Sequence, residues 1–138
     1  MKVRNFMTAD PVVISHNDPI REAKRLLDEH QFRHLPIVND GRVIGILSDR
    51  DINRSLAVAE AVSSVCGVET DAELRIKDIM TENPMCLHPD DPLKHAAKIM
   101  LDKKIGCLPV VDNGSLVGII TGTDILKVFV EMTEYIGK

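Results

Sequence analysis

Residues 3–52 align with residues 76–125 without a gap, at an offset of 73, and 14 of the 50 aligned positions are identical. The identities are Met7/Met80, Thr8/Thr81, Pro11/Pro84, Asp18/Asp91, Pro19/Pro92, Ala23/Ala96, Leu35/Leu108, Pro36/Pro109, Val38/Val111, Gly41/Gly114, Gly45/Gly118, Ile46/Ile119, Asp51/Asp124 and Ile52/Ile125. Most are turn residues or positions that strands and caps need. A period of this length means a structural unit built twice. Segments below about 40 residues rarely sustain a core alone, so halves this small are expected to lean on each other. The division reads as a first repeat over 3–66, a linker over 67–75 and a second repeat over 76–135.

Both units carry the same local signals. Pro11–Ile14 and Pro84–Leu87 are short extended segments opened by proline, suited to a strand start or edge. Asp18-Pro19 and Asp91-Pro92 read as helix starts, with Asp as N-cap and Pro in the first turn. Ile20, Ala23, Leu26 and Leu27 then share one helical face, repeated by Leu93, Ala96, Ala97, Ile99 and Met100. Leu35–Val38 and Val43–Leu47 flank Asn39-Asp40-Gly41, and Leu108–Val111 and Leu116–Ile120 flank Asp112-Asn113-Gly114. Each is a hairpin signal, because the tight turn needs positive φ. A second helix opens at Ser48 and at Thr121, each followed three residues on by Asp51 or Asp124, a variant of the capping box. The order is β-α-β-β-α per repeat, and the fold class is mixed α/β (α+β).

The closing helices carry apolar stripes, Ile52, Leu56, Ala59, Val62 and Cys66 in one and Ile125, Leu126, Phe129 and Met132 in the other. These are packing faces for the other repeat or for another chain. The polar, acidic stretch 68–73 reads as a mobile linker.

Composition narrows the function. A formal net charge of −4 with no dense Lys/Arg footprint argues against nucleic acid. No apolar run approaches the roughly 18 residues of a membrane span, and the N-terminal decapeptide lacks an apolar export signal, so a cytoplasmic protein is expected. Cys66, Cys86 and Cys107 form neither a disulfide framework nor a zinc knuckle, and five scattered histidines show no metal-binding spacing. No metal site is expected. No nucleophile with its base, and no phosphate-binding glycine loop, is discernible, so catalysis is not expected. With no Trp, one Tyr and three Phe, any base-stacking surface must be aliphatic.

Ser48 and Thr121 stand where a strand gives way to a helix. Their hydroxyls and the first free N–H groups of the helix converge there, which makes a natural phosphate seat. Asp51 and Asp124 set a carboxylate beside it, and a carboxylate can accept both protons of a vicinal ribose diol, as the acidic residue of dinucleotide-binding folds does. The alternative is plain helix capping, which contributes about 1 kcal/mol with no ligand.

Two copies of M-T-x-x-P, then L-P-(I/V)-V, an x-G hairpin and G-I-(L/I)-(S/T)-x-x-D-I together resemble a tandem pair of cystathionine-β-synthase (CBS) domains, a Bateman module, of the stand-alone two-domain kind. The resemblance covers nearly the whole chain and rests on the doubled order of several motifs. It implies two β-α-β-β-α CBS repeats packed about a pseudo-twofold axis with two related clefts. It also implies adenosine-containing regulatory ligands in those clefts (AMP, ADP, ATP or S-adenosylmethionine), no required cofactor, and a homodimer. By the same resemblance Asp51 and Asp124 hold ribose, while Ser48 and Thr121 lie near phosphate.

Each cleft is then expected to be built crosswise. One takes Ser48, Asp51, Arg33 and His34, with Arg50 nearby, together with Met80, Thr81 and Met85. The other takes Thr121 and Asp124 with Met7, Thr8 and Val12. Aliphatic and methionine walls suit a purine face. The positions matching Arg33, His34 and Arg50 are Gly106, Cys107 and Thr123, and no arginine follows Arg75. Arginine favours bidentate phosphate contact, so the first cleft is expected to bind more tightly, and the second weakly or with a ligand needing less phosphate contact. The expected function is an adenosine-ligand sensor acting on an unknown regulated protein. The alternative is a structural dimerisation module without a ligand.

Overall fold

The structure, a computed structural model, describes residues 1–67 and 74–137. The stretch expected to be a mobile linker, 68–73, lies outside them. The chain divides into two compact units, one of residues 12–84 and one of residues 1–11 with 85–138.

The unit over 12–84 holds a four-stranded sheet in the order β2-β3-β4-β5. Strand β2 (Ile14–Ser15) runs parallel to β3 (His34–Asn39), and helix α1 (Ile20–His30) makes the crossover. Strand β4 (Arg42–Ser48) returns antiparallel across a two-residue loop whose residues, Asp40 and Gly41, have φ of 52° and 79°. Positive φ at both central positions is the tight hairpin geometry that Asp-Gly supplies. Helix α2 (Asp49–Cys66) follows and ends at Gly67 in the left-handed region. Helix α3 (Ile76–Ile79) and strand β5 (Thr81–Glu82) then complete the unit, β5 pairing antiparallel with β4. Ile14, Ile20, Ala23, Leu27, Leu35, Ile37, Leu47, Ile52 and Ile76 form its core.

The other unit repeats this plan with a three-stranded sheet, β1-β7-β6. Strands β6 (Cys107–Asp112) and β7 (Ser115–Thr121) form the hairpin over Asn113-Gly114, and β1 (Thr8–Ala9) pairs antiparallel with β7. Helices α4 (Leu93–Lys103) and α5 (Gly122–Ile136) flank the hairpin in sequence. Only Leu87, bridged in parallel to Val110, stands where β2 stands in the first unit. The core joins Val3, Leu87, Leu93, Ala96, Leu108, Val110, Ile120 and Val128.

The compact units are therefore offset from the sequence repeats. Val3 and Ile76, equivalent positions, are both fully buried, but Val3 lies in the core built by the second repeat and Ile76 in the core built by the first. The backbone ties repeat as well. Val3 N–H donates to Asp91 C=O at 2.9 Å, and Ile76 N–H to Asp18 C=O at 3.4 Å.

One local expectation changes. Asp18 and Asp91 are not the N-caps. Pro19 and Pro92 occupy that position with extended ψ, and helix begins at Ile20 and Leu93. The carboxylates turn back instead, accepting the N–H of Ser15 at 3.2 Å and of His88 at 2.9 Å, which closes the preceding turn. The closing-helix stripes are also only partly covered. On α2, Ile52 and Ala59 are buried while Val62 and Cys66 are exposed. On α5, Val128 faces the core, whereas Leu126 and Phe129 are 64% and 62% exposed.

Candidate functional site

The two helix starts are built alike and finished differently. At the first, Ser48 Oγ accepts the Asp51 N–H at 3.1 Å, which satisfies one of the helix's free N–H groups. Among the described residues, the Asp51 carboxylate accepts no hydrogen bond and stays half-buried beside the helix N-terminus. At the second, Thr121 Oγ1 accepts the Asp124 N–H at 3.3 Å, and Asp124 Oδ2 accepts both the Thr121 N–H at 2.9 Å and the Thr121 hydroxyl at 3.1 Å. That is a full capping box. One oxygen of Asp124 is therefore committed to the cap, while both oxygens of Asp51 remain open.

The hairpins set one more residue at each start. His34 pairs with Ser48 across β3–β4, and Cys107 pairs with Thr121 across β6–β7. The joints are tied by Asp49 N–H to Arg33 C=O at 2.8 Å and by Gly122 N–H to Gly106 C=O at 3.1 Å. Burial pushes the His34 imidazole below its ordinary range, against the opposing pull of the Asp49 and Asp51 carboxylates, while the Arg33 charge lowers it further. Burial, with a smaller push from the Asp124 carboxylate, raises the Cys107 thiol to about 12. It is a neutral thiol at physiological pH.

The opening segments reach the same sheets. Thr81 pairs with Ile46, and Thr8 with Ile119, so Met80-Thr81 lies along β4 and Met7-Thr8 along β7. The methionines seat on glycine. A Cβ at Gly45 would stand 2.6 Å from Met80 Sδ and 3.0 Å from Thr81 C=O, and one at Gly118 would collide with Met7 Sδ and stand 3.0 Å from Thr8 C=O. These glycines are part of the site's scaffold. Their repetition as Gly45/Gly118 is the mark this packing role leaves in the sequence.

Ser48, Asp51 and His34 thus share one compact unit with Met80 and Thr81, and Thr121 and Asp124 share the other with Met7 and Thr8. Met85 opens the unit of Thr121, and Val12 opens the unit of Ser48, where it packs on the core. Arg50 is exposed on the first turn of α2. Arg33 is exposed and lines a depression of about 320 Å³ with Lys24, Asp28, Phe32 and Asp49, a lining that includes neither His34, Ser48 nor Asp51. The unit of Thr121 contains one arginine, Arg4, and its guanidinium is bound to the Asp90 carboxylate, with Nε at 2.9 Å from Oδ1. Among the described residues no group of three or more His, Cys, Asp or Glu could hold a metal ion, and no helix is long and apolar enough to cross a membrane.

The CBS domain family matches residues 3–58 and 76–131. Protein MJ1225 of Methanocaldococcus jannaschii is 32% identical over 92% of this chain, which covers 46% of that protein. The chain spans about half or less of the length of the curated relatives it matches first. Among solved structures, the CBS domain pair of protein MJ0100, in complex with 5′-methylthioadenosine and S-adenosyl-L-methionine, superposes with a TM-score of 0.80 at 32% identity, covering 96% of this chain and 98% of that one. CBSX2 in complex with AMP gives a TM-score of 0.76 at 27% identity, with coverage of 96% and 98%.

Proposed function

This chain belongs to the CBS domain family, as a tandem pair of such domains, and we propose that it is a regulatory module that binds adenosine-containing ligands at its two helix starts. The observation that carries the reading is the doubled pairing of a hydroxyl and a carboxylate at a strand-to-helix joint, beside the N-terminus of the helix. This pairing occurs in a chain that superposes along nearly its whole length on adenosine-ligand-bound CBS pairs. The partial positive charge of the helix N-terminus and the Ser48 or Thr121 hydroxyl receive the ligand's 5′ substituent. Asp51 or Asp124 accepts the ribose hydroxyls, and Met80 or Met7 offers an apolar wall to the base.

The ligand acts by binding one arrangement of the chain or its partner more tightly than another, since equal affinity shifts nothing. The module responds to its ligand on behalf of a regulated protein and itself acts as a regulator rather than a catalyst. Leu126, Phe129, Val130 and Ile136 leave α5 with an exposed apolar face, which favours a homodimer through a second copy. That face also supports the second reading, a dimerisation module without a physiological ligand.

Calorimetric titration with AMP, ATP and S-adenosylmethionine separates the two. Binding by at least one, weakened in Asp51→Ala or Asp124→Ala, supports the sensor. No heat from any of the three at millimolar concentration leaves only the dimerisation module.

A further inference from the structure

Resting on the reading above, we propose that the two sites divide adenosine ligands by charge: the Ser48/Asp51 site takes a 5′-phosphorylated adenosine, and the Thr121/Asp124 site takes an adenosine whose 5′ substituent carries no phosphate.

The argument is a comparison of equivalent positions within the two units. At the first strand-to-helix joint the chain carries Arg33, His34 and Arg50 with Asp49 and Asp51, Arg33 lining the adjacent depression with Asp49 and Arg50 exposed on the first turn, and these charges balance with His34 neutral. Around the second stand Gly106, Cys107, Gly122 and Thr123 with Asp124, which sum to −1. Both sites have the partial positive charge of a helix N-terminus. Of these compared positions only the first set carries cationic side chains. His34 sits opposite Ser48, where burial holds its proton affinity below the ordinary range against the pull of Asp49 and Asp51, and its ring N–H is a donor for an arriving phosphate. Cys107, in the same place opposite Thr121, is buried and neutral and supplies neither a charge nor a strong donor.

The unit of Thr121 holds one further donor of this kind. The exchange of opening segments brings one arginine, Arg4, into the unit of Thr121, and Asp90 holds it, with Lys2 also 3.7 Å from the same carboxylate. Within its own unit, a phosphate of charge about −1.5 to −2 would therefore meet the Asp124 carboxylate while the one guanidinium there is held by Asp90. An uncharged thioether or similar 5′ group meets no such penalty, and the buried thiol and the Met7 side chain offer it a soft apolar surface.

The test titrates AMP and 5′-methylthioadenosine into the full chain and into Asp51→Ala and Asp124→Asn, the latter chosen because Asn still accepts a cap hydrogen bond. AMP affinity is expected to fall roughly tenfold or more in Asp51→Ala and to change less than about twofold in Asp124→Asn, with the reverse for methylthioadenosine. In the unmodified chain, saturating AMP is expected to leave methylthioadenosine binding intact, a measurement that needs no variant to fold. Competition between the two ligands for one site, or equal losses of AMP affinity in both variants, overturns the division by charge while leaving adenosine binding standing. Failure of both ligands to bind the unmodified chain overturns the adenosine reading itself and the division with it.

Discussion

His34 lies directly opposite Ser48 in the β3–β4 ladder, so an imidazole whose proton affinity is lowered by burial stands at the mouth of a helix N-terminus. In the second unit the same rung holds Cys107 and Thr121. A ladder pair conserves position strictly, because register places side chains on a chosen face. It leaves the chemistry at that position open, and the two halves of this chain use it differently.

That rung predicts an asymmetric response to acid. The folded-state value of His34 lies below its ordinary 6.5, so the unfolded chain takes up a proton that the folded chain resists. The stability held above pH 6.5 is lost as pH falls through that value toward the folded one. In urea titrations between about pH 7 and pH 5, the unmodified chain should lose more stability than His34→Asn, since the other four histidines contribute equally to both. Parallel pH slopes for the two proteins would sink this assignment.

Gly45 and Gly118 predict a steric result. A methyl group at Gly45 must displace the Met80 thioether and press on the Thr81 carbonyl, so Gly45→Ala should cost about 1–3 kcal/mol, with Gly118→Ala similar. The flexible methionine accounts for part of the clash. Gly45→Ala should therefore cost less in a Met80→Ala background, and additive costs in that double-mutant cycle would show that the methionine seat is not the reason for glycine.

The helix starts predict unequal caps. Ser48→Ala removes one side-chain acceptor and should cost about 1 kcal/mol, while Thr121→Ala breaks a reciprocal box and should cost up to about 2 kcal/mol. Chemical denaturation at pH 7 measures both. A larger loss for Ser48→Ala would contradict the difference in hydrogen bonding between the two sites.

Thiol chemistry supplies a check that needs no variant. Cys66 is exposed, whereas Cys107 is buried with its thiol raised to about 12. Iodoacetamide at about pH 8 should alkylate Cys66 well before Cys107 in the folded chain, because only the thiolate reacts. Mass spectrometry of the peptides reads the order. Equal rates would mean that Cys107 is accessible and that the second site is not as described.

Much of this architecture was written in local sequence. Asp40-Gly41 and Asn113-Gly114 specify their turns because both central residues must take positive φ. Ser48 and Thr121 specify helix starts because a hydroxyl three residues before the Asp N–H closes the first turn. Ile20, Ala23 and Leu27 specify a buried face because their spacing matches the helical period. Each of these depends on atoms a few residues apart, and so does the candidate site's core of hydroxyl and carboxylate.

The rest depends on which distant surfaces meet. Thr8 joins Ile119 rather than a strand of its own repeat, Val3 enters the core of the second repeat, Met7 covers Gly118, and Arg4 is captured by Asp90. Sequence alone could not decide whether Asp18 would cap forward or turn back to Ser15, because both uses of the carboxylate are locally sound and Pro19 at the cap position selects the second. Repetition in the chain established two like units with two like helix starts. Long-range pairing selected the segments that complete each unit, and so set Met80 over Gly45 and Met7 over Gly118.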